Sequence, residues 1–110
     1  MIVNWHEFEK LDIRAGTIIT ASNFHKAMKP AYQLNIDFGD AGIKKSSAQI
    51  TTHYKPEELI GKQVLAVINF PPRQIADFIS ECLVLGLYDD DNAVILLKPE
   101  RAVKNGSKVG

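Results

Sequence analysis

The stretch Asn69–Gly86, NFPPRQIADFISECLVLG, limits this chain more than any other. An apolar run, Gln63–Phe70, leads into Pro71-Pro72, and a second apolar run, Leu83–Leu87, follows. Proline fixes φ and restricts the residue before it, so two in succession make a stiff corner that continues neither strand nor helix. Two buried strands joined by a stiff connection carrying Arg73 and Gln74 suit a β-domain that presents a polar, basic loop.

The rest of the sequence supplies the other strands. Leu11–Ala21 starts with alternation and is interrupted by Gly16, which predicts a bulged, strongly bent first strand. Ser22–Ala31 is a loop carrying His25, Lys26 and Lys29. Tyr32, Leu34, Ile36 and Phe38 alternate with polar residues, the period of a half-buried strand. Gly39–Gly42 is a turn, and Ile43–Thr52 a more polar strand with Lys44, Lys45, Ser46, Ser47 and Gln49 facing solvent. Lys55–Gly61 has proline at a first helical position, two glutamates at the positive dipole end and a closing glycine, which predicts a short helix. Tyr88–Asn92 is an acidic turn and Ala93–Leu97 a last apolar strand. Trp5, Phe8 and Leu11, at three-residue spacing, predict a helical turn that covers either the domain's own core or a second copy.

Five or six strands with one short helix between the third and fourth is the order of the five-stranded Greek-key barrel of the OB class. Such barrels bind oligonucleotides on the face of strands 2 and 3 and in the loops between strands 1 and 2 and strands 4 and 5. Here those segments are Tyr32–Thr52, Ser22–Ala31 and Pro71–Ile79. Lys26, Lys29, Lys44, Lys45 and Arg73 would then converge on one groove. Phe70 reads as core, whereas Phe24 and Phe78 are open between core and a stacking platform.

Length and charge narrow the function classes. At 110 residues there is room for one domain with a real core. Thirteen basic and thirteen acidic residues leave no net charge, which counts against a strongly basic, non-specific nucleic-acid binder and makes self-association easier. No apolar run approaches the ~20 residues of a membrane span, and the N-terminus lacks the pattern of a secretory signal. With the single Cys82, these features point to a cytoplasmic protein without membrane insertion. His6, His25 and His53 are too scattered for metal-ligand spacing, Cys82 reads as an inert buried thiol, and His53 as a packed residue at the helix entry. No catalytic constellation, metal site or cofactor motif is visible, so the chain reads as a binding module and not an enzyme.

Four segments carry a family resemblance: LDIRAGTI at 11–18, HYKPEELIGKQV at 53–64, Asn69–Gly86, and NGSKVG at 105–110. The chain resembles the tRNA-binding domain family found at the C-terminus of bacterial methionyl-tRNA synthetases and in free-standing proteins, with its nearest likeness in the CsaA-type secretion chaperones. The resemblance implies an OB-fold homodimer in which the helical extension at 1–10 and the tail at 99–110 are dimer elements. Asn69, Pro72, Arg73 and Ser80 stand where tRNA-binding members place their Asn, Pro-Arg and Ser, and Gln74 and Phe78 lie among them. Cys82-Leu83 and Ser47-Ala48-Gln49 depart from the synthetase pattern toward the CsaA branch. That branch implies unfolded or precursor polypeptides as partners beside tRNA, and the Sec translocase motor as a further one.

Overall fold

The alternation at Tyr32–Phe38 is realised as a core strand. In the computed structural model, which describes residues 1–110, β2 (Tyr32–Asp37) buries Tyr32, Leu34 and Ile36, with Phe38 buried just beyond it. It pairs antiparallel with β1 (Ile13–Asn23) on one side and β3 (Ile43–Ala48) on the other. β4 (Gln63–Val67) joins the opposite side of β1, and β7 (Leu83–Val84) pairs with β4, giving the order β3-β2-β1-β4-β7.

The two edges of this sheet then meet. The Glu81 N–H donates to the Lys45 carbonyl at 2.8 Å. The Lys45 N–H donates to the Glu81 carboxylate at 2.9 Å, and the Ser46 hydroxyl to the Cys82 carbonyl at 3.0 Å. Closure satisfies the edge groups that an open sheet leaves bare. The result is an all-β, five-stranded OB barrel. Its interior is filled by Ile18, Leu34, Ile36, Phe38, Val64 and Leu59. Leu59 comes from α2 (Pro56–Leu59), the short helix between β3 and β4. The Glu58 carboxylate accepts the Lys55 N–H at 2.9 Å at the start of α2, and Gly61, at φ +89°, follows its end.

β1 changes partner along its length, facing β4 at 13–17 and β2 at 17–23. The register shifts between Ile18 and Thr20, so the irregularity sits at Ile19 and not at Gly16. Gly16 has another role: a Cβ there would lie 2.6 Å from Phe38 Cδ1 and 2.7 Å from Ile36 Cγ2. The glycine lets the backbone of β1 approach the core closely. The first half of β1 has no strand on its β2 side, and the C-terminal segment fills the gap. The Ala15 N–H donates to the Ser107 carbonyl at 2.9 Å, Gly106 N–H to Ala15 at 2.8 Å, and Val109 N–H to Ile13 at 2.8 Å.

Several elements differ from the sequence reading. β4 stops at Val67, before Ile68 and Phe70, and Phe70 is exposed rather than core. Ser46 is fully buried, because its hydroxyl has a partner in the barrel closure. The Pro71–Ile79 loop contains a hairpin, β5 (Arg73–Ile75) with β6 (Phe78–Ser80). The run Leu83–Leu87 divides between β7 and β8 (Gly86–Tyr88), which forms a second hairpin with β9 (Val94–Leu96). Leu83 and Leu87 are exposed, since Cys82 and Val84 are the residues that face inward. The helix α1 (Trp5–Glu9) is capped by Asn4, whose side chain accepts the Glu7 N–H at 2.9 Å. None of its residues is buried and Trp5 is 81% exposed, so α1 does not cover the core of its own chain.

Candidate functional site

Three walls enclose a groove on the barrel surface. Its floor is the end of β3 with the residues that follow, Ser47–Ile50, beside Leu83 and Val84 of β7. One wall is the loop after β1, through Ala27, Met28 and Lys29, together with Arg73 and Ile75 of β5. The opposite wall is the β8–β9 hairpin, through Tyr88, Asn92 and Val94. The volume is about 580 Å³, within the range of ordinary ligand pockets.

The first wall is a composite of two joined segments. The Phe24 and Phe78 rings lie with centroids 5.3 Å apart at 57°, and Lys26 Nζ stands 2.7 Å from Asp77. The hydrogen bond between them holds the Lys26 ammonium above its ordinary range and the Asp77 carboxyl below its own. Phe24 is buried and Phe78 half-buried, so this pair is packing between segments and not an open platform. Lys45 Nζ lies 5.3 Å above the Phe78 ring.

The five cations that the sequence points toward one groove do not converge there. Lys29 and Arg73 line it, and no carboxylate does. Lys26 is held by Asp77. Lys44 and Lys45 are neighbours on a strand and point to opposite faces: Lys45 to Phe78, Lys44 to the side that buries Ser46 and Ala48. Pro72 is exposed at the entry to β5, and the Gln74 amide donates to the Ala76 carbonyl at 3.1 Å within its own hairpin. Asn69 braces the fold, accepting the Asp12 N–H at 2.9 Å and donating to the Lys10 carbonyl at 2.7 Å. Ser80 is likewise engaged: its Oγ accepts the Ser47 N–H at 3.1 Å in the barrel closure.

Sequence reasoning missed the apolar half of the groove. Ten of its fifteen lining residues are hydrophobic, so it suits extended apolar segments better than phosphate alone. Met28, fully exposed in a polar loop, and Tyr88, at the rim of an acidic turn, were the available signals. Ser47, Ala48, Gln49 and Leu83, which depart from the synthetase pattern, all line the groove.

Neighbouring reactive groups are quiet. Burial pushes the Cys82 thiol up to about 11, and it faces the Lys45 carbonyl at 3.7 Å. His53 is exposed instead of packed, and its Nε2 lies 2.7 Å from Asp89 Oδ2. No three His, Cys, Asp or Glu side chains are grouped to hold a metal, and no helix is long and apolar enough to cross a membrane.

Comparison with known proteins agrees with this architecture. Residues 13–108 match the family described as "Putative tRNA binding domain". The chain is 38% identical over 107 residues to the methionine–tRNA ligase of Bacteroides fragilis, spanning 97% of this chain and 16% of the ligase. The chaperone CsaA of Bacillus anthracis superposes with a TM-score of 0.95 at 48% identity, each chain covering all of the other. The CsaA chaperone of Picrophilus torridus gives 0.93 at 52% identity, covering 99% of this chain and 100% of that one. With a shared sequence, a shared barrel and full-length coverage, the chain belongs to the tRNA-binding domain family, in its CsaA branch.

Proposed function

We propose that this chain is a non-catalytic, homodimeric module that seats unfolded or precursor polypeptide in the groove and also carries tRNA. The observation behind the polypeptide reading is the groove itself: a mostly apolar floor and walls, with two cations and no carboxylate at its edge. Alternate side chains of an extended segment would enter the floor, while Lys29 and Arg73 orient its polar backbone or acidic groups. Lys26 and Phe78 tie the loop after β1 to the hairpin that carries Arg73 and so hold the groove's cationic wall in place, while Lys44, Lys45, Asn69, Pro72, Gln74 and Ser80 lie outside its lining. The homodimer reading rests on the uncovered apolar residues Met1, Ile2, Val3 and Trp5 around α1, and on a net charge of zero. Action in the cytoplasm and delivery of precursors to the Sec translocase motor belong to the same proposal, supported by the resemblance to the CsaA branch.

The test is a parallel titration with tRNA and an unfolded precursor peptide at two salt concentrations. Peptide affinity is expected to change little with salt and to fall about tenfold in Leu83→Glu, since a buried leucine contact contributes ~1.5–3 kcal/mol. Leu83 is half-exposed, so that variant folds. An unfolded client that aggregates equally fast with and without the protein rejects the reading. A second reading, a tRNA-binding cofactor in the synthetase style, is favoured by the unpaired Lys29 and Arg73. It requires steeply salt-dependent tRNA binding whose slope lessens in Arg73→Ala or Lys44→Ala.

A further inference from the structure

The β8–β9 hairpin has a second concavity on its other side. It encloses about 480 Å³ and is lined by Tyr54, Lys62, Gln63, Lys98 and Arg101, with Ile95 and Leu96 of β9 as its wall on the hairpin side. Only four of its eleven lining residues are hydrophobic, the reverse of the groove described above. Side-chain bonds to backbone hold its walls. The Tyr54 hydroxyl accepts the Leu96 N–H at 3.0 Å, fixing the hairpin, and the Tyr32 hydroxyl donates to the Tyr54 carbonyl at 2.8 Å. Gln63 holds the 98–105 segment across the end of β4, accepting the Val103 N–H at 3.0 Å and donating to the Val103 carbonyl at 2.6 Å.

Its charge is one-sided. Lys62, Lys98 and Arg101 line it with one carboxylate, Glu100, which both Arg101 Nε and Nη2 contact at 2.6 and 3.2 Å. Lys62 and Lys98 have no carboxylate partner, and Lys62 Nζ lies 6.0 Å above the Tyr54 ring. In a chain with no net charge, two free ammonium groups and a guanidinium in one polar concavity make a local anion trap. Ammonium and guanidinium groups in a mostly polar concavity suit a repeating phosphate better than a hydrophobic peptide.

We infer that this second concavity is a phosphodiester-binding site for RNA backbone, separate from the polypeptide groove, so that the two ligands are carried together. This rests on the reading that the chain binds tRNA, and it locates that binding in Lys62 and Lys98. Because the hairpin lies between the two sites, a polypeptide in one does not block RNA in the other.

The full chain is compared with Lys62→Gln/Lys98→Gln, both exposed positions whose side chains make no hydrogen bond or ion pair, Lys62 only lying over the Tyr54 ring. In the double variant the slope of log affinity for tRNA against log salt is expected to become shallower by about 1.4–1.8, with roughly tenfold weaker binding at low salt. Binding of the unfolded peptide stays unchanged, and saturating peptide leaves tRNA affinity unchanged. An unaltered slope in the double variant overturns the inference, as does displacement of tRNA by the peptide, or competition by polyglutamate as strong as by RNA. No tRNA binding by the unsubstituted chain rejects the tRNA reading and this site with it, whereas normal tRNA binding with an unaltered slope in the double variant rejects this site alone. The stated tRNA behaviour with no peptide binding rejects the polypeptide reading alone.

Discussion

Gly16 shows how one missing methyl group sets the thickness of this barrel. A Cβ at its place in β1 would lie only 2.6 Å from Phe38, too near for any side chain, and Phe38 and Ile36 are both fully buried with nowhere to move. Gly16→Ala is therefore expected to destabilise the fold by ~1–3 kcal/mol, the range for overpacking a filled core. A lowered urea midpoint with an unchanged slope would show it. At this scale the sequence was only partly legible. Lys44 and Lys45 could have been separated in advance, because strand neighbours face opposite ways. Asn69 could not: its partners, Asp12 and Lys10, are 57 and 59 residues away, and no local pattern encodes such a brace.

Among the elements, burial period made β2 readable and the proline, glutamates and closing glycine made α2 readable; the acidic turn and last strand of the β8–β9 hairpin were also read, while the β5–β6 hairpin was hidden. The β5–β6 turn holds Ala76 at φ +52°, where glycine or asparagine is the usual signal, so nothing in the sequence marks it. The β8–β9 turn is built by Asp89, whose Oδ1 accepts the Asp91 and Ala93 N–H groups at 2.9 Å while Oδ2 meets His53. These bonds, the His53 one first, hold the Asp89 carboxyl below its usual range. A depressed folded pKa means stability that is present at neutral pH and lost as the pH falls from about 4 through the lowered value. Asp89→Asn is expected to be less stable than wild type at neutral pH and to lose less on acidification, as read from urea midpoints at pH 7 and pH 3. Both grooves share this hairpin as a wall, so the same substitution loosens both.

For the whole molecule, the barrel was legible because strand count, helix position and turn spacing all pointed to one architecture. The binding surface was less so, because it is assembled from the ends of six segments whose side-chain directions depend on closure. The uncovered apolar residues of α1 belong to this scale too. Trp5→Glu is expected to shift the protein from dimer to monomer in light scattering at micromolar concentration without unfolding it, since Trp5 packs on nothing in its own chain. An unchanged dimer would place the interface elsewhere.

The 106–109 segment pairing with β1 also has a consequence for synthesis. Arg14 and Gly106 are joined across 92 residues, so an early-made strand keeps bare N–H and C=O groups until residues 106–109 leave the ribosome. Until those residues are made, the nascent chain carries an unsealed sheet edge, the kind of surface that recruits other strands. A protein of a chaperone-like branch is thus, during its own birth, in need of the protection that it is proposed to give to others.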